Sequence, residues 1–178
     1  MGTLESEITL DESKALSFAD ISRIITGRIH GCSILYVDLE TIKAKTYTLE
    51  RMLGQHDCAC LLITAISPGG GVQRHWTVLH KLKNRYYFFD SLALRWPLLD
   101  SLIGDTRLST FLKSIKAVPS TRKLQAHIRK VRTCGCWAAV RCAKYKLSYS
   151  EFVKWVTSNR HSTADRTVVK LCLIGLLT

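Results

Sequence analysis

Between positions 106 and 150 the chain contains no aspartate or glutamate. The same stretch holds eleven cations, Arg107, Lys113, Lys116, Arg122, Lys123, Arg129, Lys130, Arg132, Arg141, Lys144 and Lys146, against a whole-chain excess of +12. An acid-free block of this length predicts a polyanionic partner; the alternative is a solvated, solubilising face. Long apolar runs are also missing. The best candidate, 168–177, is ten residues long and interrupted by Lys170, too short to span a membrane, so a buried terminal element is expected. No secretory pattern opens the chain, since Glu5 and Glu7 stand where an apolar segment is needed. The same acids argue against reading Met1-Gly2 and Ser6 as a myristoylation signal. Seven cysteines, an odd number without an export signal, predict reduced intracellular thiols rather than a disulfide framework. Cys58/Cys60 and Cys134/Cys136 lack the usual two-to-four-residue zinc spacing, so no metal site is expected. Without repeats, low-complexity segments or a linker, 178 residues with 47% hydrophobic content imply one domain with a substantial core.

What is present has a readable order. Phe18, Ile21, Ile24 and Ile25 recur at helical spacing behind a capping Ser17, with Gly27 as the stop. Positions 32–38 are β-rich, and 58–66 is a continuous apolar run of strand length, expected to be buried on both faces and followed by a Gly-rich loop at 67–71. Positions 75–82 and 85–90 predict a hairpin turning at Lys83-Asn84. Such a turn pairs residue i with 167 − i, which makes Asp90 a diagonal neighbour of His75, within ~7–8 Å. Helices are expected from Trp96-Pro97 to 103 and over 106–116, ended by Pro119, and a strand over 123–131. Cys134 opens another helix. Ser148-Tyr149-Ser150-Glu151 is a capping box ahead of Phe152, Val153, Trp155 and Val156.

The chemistry gathers around Thr133-Cys134-Gly135-Cys136-Trp137. A cysteine in the first turn of a helix meets unpaired N–H groups and the positive end of the helix dipole, both of which favour the thiolate, the nucleophilic form. Thiolate catalysis also needs an imidazole, a group that orients it, and donors for the oxyanion. The chain offers His75, Asp90, Gln125 and Cys134 in that order, with His56 and His80 as rivals for the base and Cys136 as a rival nucleophile.

The apolar strand, Gly-Gly loop and His-Trp of 60–76 (CLLITAISPGGGVQRHW), the acid-bearing 86–92 (YYFFDSL) and the Cys-Gly helix start resemble the adenovirus protease (adenain) group and its relatives among the ubiquitin-like-protein proteases. The likeness covers roughly positions 55–157. It implies an α+β, papain-like cysteine protease fold, a central mixed or antiparallel sheet with helices and the nucleophile at a helix N-terminus. It assigns His75 as general base, Asp90 as its orienting acid, Cys134 as nucleophile, and Gln125 with the Cys134 N–H as oxyanion donors. The gap from Gln125 to Cys134 is longer than the family usually shows, and positions 91–133 contain no cysteine to carry the disulfide-linked activating peptide of adenoviral members. The implied function is a viral endopeptidase that processes capsid and core precursors in the virion and host nucleus. It would act as a monomer, without a membrane or a required cofactor. Duplex DNA is the expected activator, bound non-specifically by Arg107, Lys113, Lys116, Arg122, Lys123, Arg129, Lys130 and Arg132. The alternatives are a deubiquitinating or deSUMOylating protease and a non-catalytic basic domain that packages nucleic acid.

Overall fold

The computed structural model describes residues 16–17, 19–21, 34–38, 46–66, 71–126, 132–158 and 162–175. The chain is α+β, with a mixed five-stranded sheet in the order β1 (Ile34–Asp38), β2 (Cys58–Ile66), β3 (Val72–Leu82), β4 (Arg85–Phe89) and β5 (Val118–Pro119). β2–β3 and β3–β4 pair antiparallel, while β1 on β2 and β5 on β4 are parallel.

The apolar run predicted to be a two-sided strand is β2, and alternate residues of it enter two different cores. Cys58, Cys60 and Leu62 join Trp76, Val78 and Phe89 beneath α4 (Cys134–Ala143), α5 (Tyr149–Val156) and α6 (Ala164–Lys170). Ala59, Leu61 and Ile63 join Leu79 and Phe88 beneath α1 (Leu49–Leu53), α2 (Trp96–Ile103) and α3 (Arg107–Ser114). Helices therefore cover both faces, which is why β2 reads as unbroken apolar sequence rather than as an alternation. α4 is buried from Cys134 to Cys142, with Arg141 as the one charged side chain among them.

The helix ends follow local chemistry. Pro97 stands in the first turn of α2, where a missing N–H leaves no bond unmade, and Gly104 ends that helix at φ 80, in the left-handed region. Ser148 and Glu151 satisfy each other's backbone N–H groups in a complete capping box. Ser17 caps the helical turn at 19–21, its Oγ accepting from the Asp20 N–H at 3.2 Å. The rest of that predicted helix, with Phe18, Ile24, Ile25 and Gly27, lies outside the described residues, as do 67–70 of the Gly-rich loop. Of the C-terminal run, Val168, Val169 and Cys172 are buried, in α6 and the π-helical turn Leu171–Gly175, while 176 and 177 lie outside the described residues.

One expectation is corrected. Positions 123–126 are irregular rather than strand, with the remainder of 123–131 outside the described residues. The N–H groups of Leu124 and Gln125 both donate to the Ser91 carbonyl, at 2.9 and 3.0 Å, which curls the chain against the end of β4 instead of extending it. The strand that does form there is β5, at the proline expected only to end a helix.

Candidate active site

His75 lies on β3 just inside the buried part of the strand, after three exposed positions. The hairpin register, Val78 opposite Phe89 and Leu82 opposite Arg85, is the one set by a turn at Lys83-Asn84, where Lys83 adopts φ 56. That register returns Asp90, immediately after β4, to the level of His75, and His75 Nε2 meets Asp90 Oδ1 at 2.7 Å.

Asp90 is fixed from several directions. Its carboxylate also accepts from the N–H of Leu92 at 2.9 Å and of Leu94 at 3.0 Å, in a turn where Ala93 takes φ 49, while its own N–H donates to Ser120 Oγ at 3.0 Å. Burial alone would raise its carboxyl pKa. The hydrogen bond and charge of His75, together with those two N–H groups, outweigh burial and lower it, so Asp90 is an anion.

Cys134 is the first residue of α4, and its thiol and the His75 ring each shift the other's titration. With Nε2 on Asp90, Nδ1 is the ring nitrogen left for the thiol. Burial pushes the thiol pKa up, but the His75 hydrogen bond and charge and the N–H groups of Trp76 and Gly135 bring it below the ordinary 9.0. Burial likewise opposes the imidazolium of His75, yet hydrogen bonds and charges from Asp90 and Cys134 raise it from 6.5 to about 10. The two shifts favour one state, a thiolate–imidazolium pair braced by a carboxylate.

Gly135 follows because nothing larger fits. A Cβ there would lie 2.8 Å from Cβ of Leu16, whose carbonyl accepts the Trp76 indole N–H at 3.1 Å. The Trp of His-Trp and the Gly of Cys-Gly are thus joined through one N-terminal residue.

Gln125 is buried beside Asp90. Ser91 Oγ donates to Gln125 Oε1 at 2.8 Å, which turns the amide NH2, a donor, away from Ser91. Among the described residues no hydrogen bond joins Gln125 to Cys134; His75 and Asp90 are in direct contact, Cys134 is coupled to His75 through their titration, and Gln125 is tied to the turn that holds Asp90.

The rivals fall elsewhere. Cys136 is buried in the core, its carbonyl accepting from the Cys172 thiol at 3.7 Å. His80 packs against Arg141, and burial followed by that cation lowers its pKa to about 3, so it is neutral. His56 precedes β2 at the level of the hairpin's turn, at the opposite end of β3 from His75. A small cleft is lined by His80, Tyr87, Val118, Pro119, Arg141 and Tyr149 among others, and by none of the four candidates. A neutral His80 beside a guanidinium supplies no nucleophile, and Cys134 remains the candidate nucleophile.

Of the predicted phosphate-binding residues, Lys113, Lys116, Arg122, Lys123 and Arg132 are exposed. Arg107 is exposed and paired with Asp105 at 2.7 Å, just before the acid-free block begins. Arg129 and Lys130 lie outside the described residues. Among the described residues no group of three or more His, Cys, Asp or Glu could hold a metal ion, and no helix is long and apolar enough to cross a membrane.

Sequence reasoning missed the residues that brace the site. Asp165 of α6 is buried and accepts from the Ala126 N–H at 2.8 Å, the Trp137 indole N–H at 2.9 Å and the Thr133 hydroxyl. Ser91 and Ser120 anchor the Asp90 turn. The only local signal near Asp165 is the capping Thr163, which predicts a helix start and nothing about partners 28 to 39 positions away. No protein-family model matches the chain, and no curated protein matches it either.

Proposed function

We propose that the chain is a cysteine endopeptidase of the papain-like, adenain type. The observation that carries this reading is the 2.7 Å Asp90–His75 hydrogen bond, with His75 coupled electrostatically to Cys134 at the N-terminus of a buried helix. The Cys134 thiolate attacks the carbonyl carbon of a peptide bond. The resulting oxyanion receives the Cys134 N–H and the Gln125 NH2, and His75 gives its proton to the leaving amine, which departs as the thioester forms. Neutral His75 then takes a proton from water as the hydroxide equivalent attacks the thioester, and collapse of the adduct releases the carboxylic acid product and expels the Cys134 thiolate, which with the proton kept on His75 restores the ion pair. Asp90 fixes the ring orientation and stabilises the imidazolium throughout.

The substrates proposed from the family resemblance are capsid and core precursor proteins, cleaved in the virion and host nucleus. The exposed cations of the acid-free block support binding to duplex DNA as an activator. Such contacts go to phosphates, carry no sequence preference and weaken with salt.

Co-expression with candidate precursors tests the reading. Wild type cleaves them, Cys134→Ser does not, and added duplex DNA raises the wild-type rate at low salt but not at high salt. Cleavage of ubiquitin- or SUMO-linked reporters with the precursors left intact would replace the proposed substrate class. Equal results for wild type and Cys134→Ser would remove the enzyme assignment and leave a basic nucleic-acid-binding domain.

A further inference from the structure

We infer that Asp165 is a positioning residue, which fastens the Gln125 loop to the N-terminus of the nucleophile helix and so sets the geometry of the oxyanion side of the site. The inference rests on the cysteine-peptidase reading above.

The two oxyanion donors proposed there come from separate pieces of chain. One is the backbone N–H of Cys134, whose position is set by Thr133 before it. The other is the side chain of Gln125, whose position is set by Ser91 on one side and by the path of residue 126 on the other. Asp165 is where these pieces meet. Its Oδ2 accepts from the Ala126 N–H at 2.8 Å, directly after Gln125. Its Oδ1 accepts from the Thr133 hydroxyl, directly before Cys134, and from the Trp137 indole, one turn into the same helix, at 2.9 Å.

The carboxylate is 4% exposed and has no ion-pair partner among the described residues. A buried charge without a cation is costly unless hydrogen bonds satisfy it, and here three donors from two segments do so. Holding a loop against a helix this way matters most for a reaction in which donors must meet a developing charge. A displacement of about 1 Å there costs on the order of 100-fold in rate.

Asparagine isolates the loop tie. If its oxygen keeps Thr133 and Trp137, its NH2 faces the Ala126 N–H, donor against donor. Two probes separate positioning from simple support. Iodoacetamide alkylates the Cys134 thiolate by displacing iodide and forms no oxyanion. p-Nitrophenyl acetate acylates the same sulfur through a tetrahedral oxyanion, with release of p-nitrophenolate.

In the full chain, Asp165→Asn is expected to slow acylation by about 10–100-fold while alkylation stays within about twofold of wild type. Thr133→Val, which removes one leg of the tie without changing shape, lowers acylation in the same selective way, and Thr133→Ser restores it. That pair decides the question should Asp165→Asn fail to fold. Equal losses in both reactions, or no loss in either, would overturn the inference while leaving the peptidase reading in place. A wild type inert to both probes would overturn that reading, and this inference with it.

Discussion

Strand β3 carries two buried histidines, His75 at 8% exposure and His80 at 1%, whose rings titrate in opposite directions. Burial disfavours the imidazolium in both. His75 faces the Asp90 carboxylate and the Cys134 thiol and is raised to about 10; His80 faces the Arg141 guanidinium and is lowered to about 3. The sign of the neighbouring charge decides the protonation state, and burial only makes that decision costly to reverse.

The two neighbours also differ in how they are satisfied. Asp90 is an anion collecting donors from a ring and two backbone N–H groups. Arg141 is a fully buried cation that spends its donors on the Lys144 and Leu147 carbonyls and on His80 Nε2, with its carbon 4.8 Å above the Phe152 ring. Burial lowers its pKa to about 10, which leaves it charged at neutral pH. Its surroundings are those of a structural bolt between the C-terminal end of α4 and the strand. The opposite end of α4 carries the Cys134 sulfur.

Removing each histidine gives the largest contrast. His75→Ala is expected to slow peptide hydrolysis by about 100–10,000-fold, the usual contribution of a positioned acid–base group. His80→Gln leaves that rate within about twofold and lowers stability by about 1–3 kcal/mol, through imperfect partnering of Arg141. Comparable losses of rate in the two variants would erase the distinction drawn between the sites.

Asp90→Asn probes the next effect. Folding stabilises the protonated form of His75, so that stabilisation is fully present below pH 6.5 and is lost as pH rises through about 10. Without the Asp90 charge the burial penalty remains, and the alkaline limb of the pH–rate profile moves to lower pH. A limb that stays near pH 10 would show that another group protonates the ring.

Arg141→Met should have the smallest effect on chemistry. It leaves two carbonyls and His80 Nε2 without donors, at about 1–3 kcal/mol for each acceptor left unsatisfied, and it lifts the His80 pKa without taking it to 6.5 because burial persists. Urea unfolding with parallel rate measurements checks both halves. A large loss of activity in a stably folded variant would mean that the two ends of α4 are coupled.

The parts of this arrangement that were legible in the sequence are those set by local geometry. A two-residue turn at 83–84 dictates the pairing that returns Asp90 to His75, and a Cys-Gly pair before a helical run places a sulfur at a helix start. Ser148 and Glu151 announce α5 for the same reason. The misread stretch, 123–126, shows the limit. Leu124 and Ala126 alternate as a strand would, but their conformation follows from Ser91 and Asp165, residues far away in the chain. β5 was hidden because a proline strand of two residues forms only where β4 offers an edge. Asp165 was hidden for a related reason: a carboxylate in a helix start reads as a dipole partner, whatever it touches.

The most direct test is the pH dependence of Cys134 alkylation by iodoacetamide in wild type and in His75→Ala. With the ion pair present, the wild-type inflection lies below the ordinary 9.0, and removing His75 moves it upward because burial is then weakly opposed. A wild-type inflection at or above 9.0, unmoved by the loss of His75, would contradict the paired thiolate on which the proposed chemistry depends.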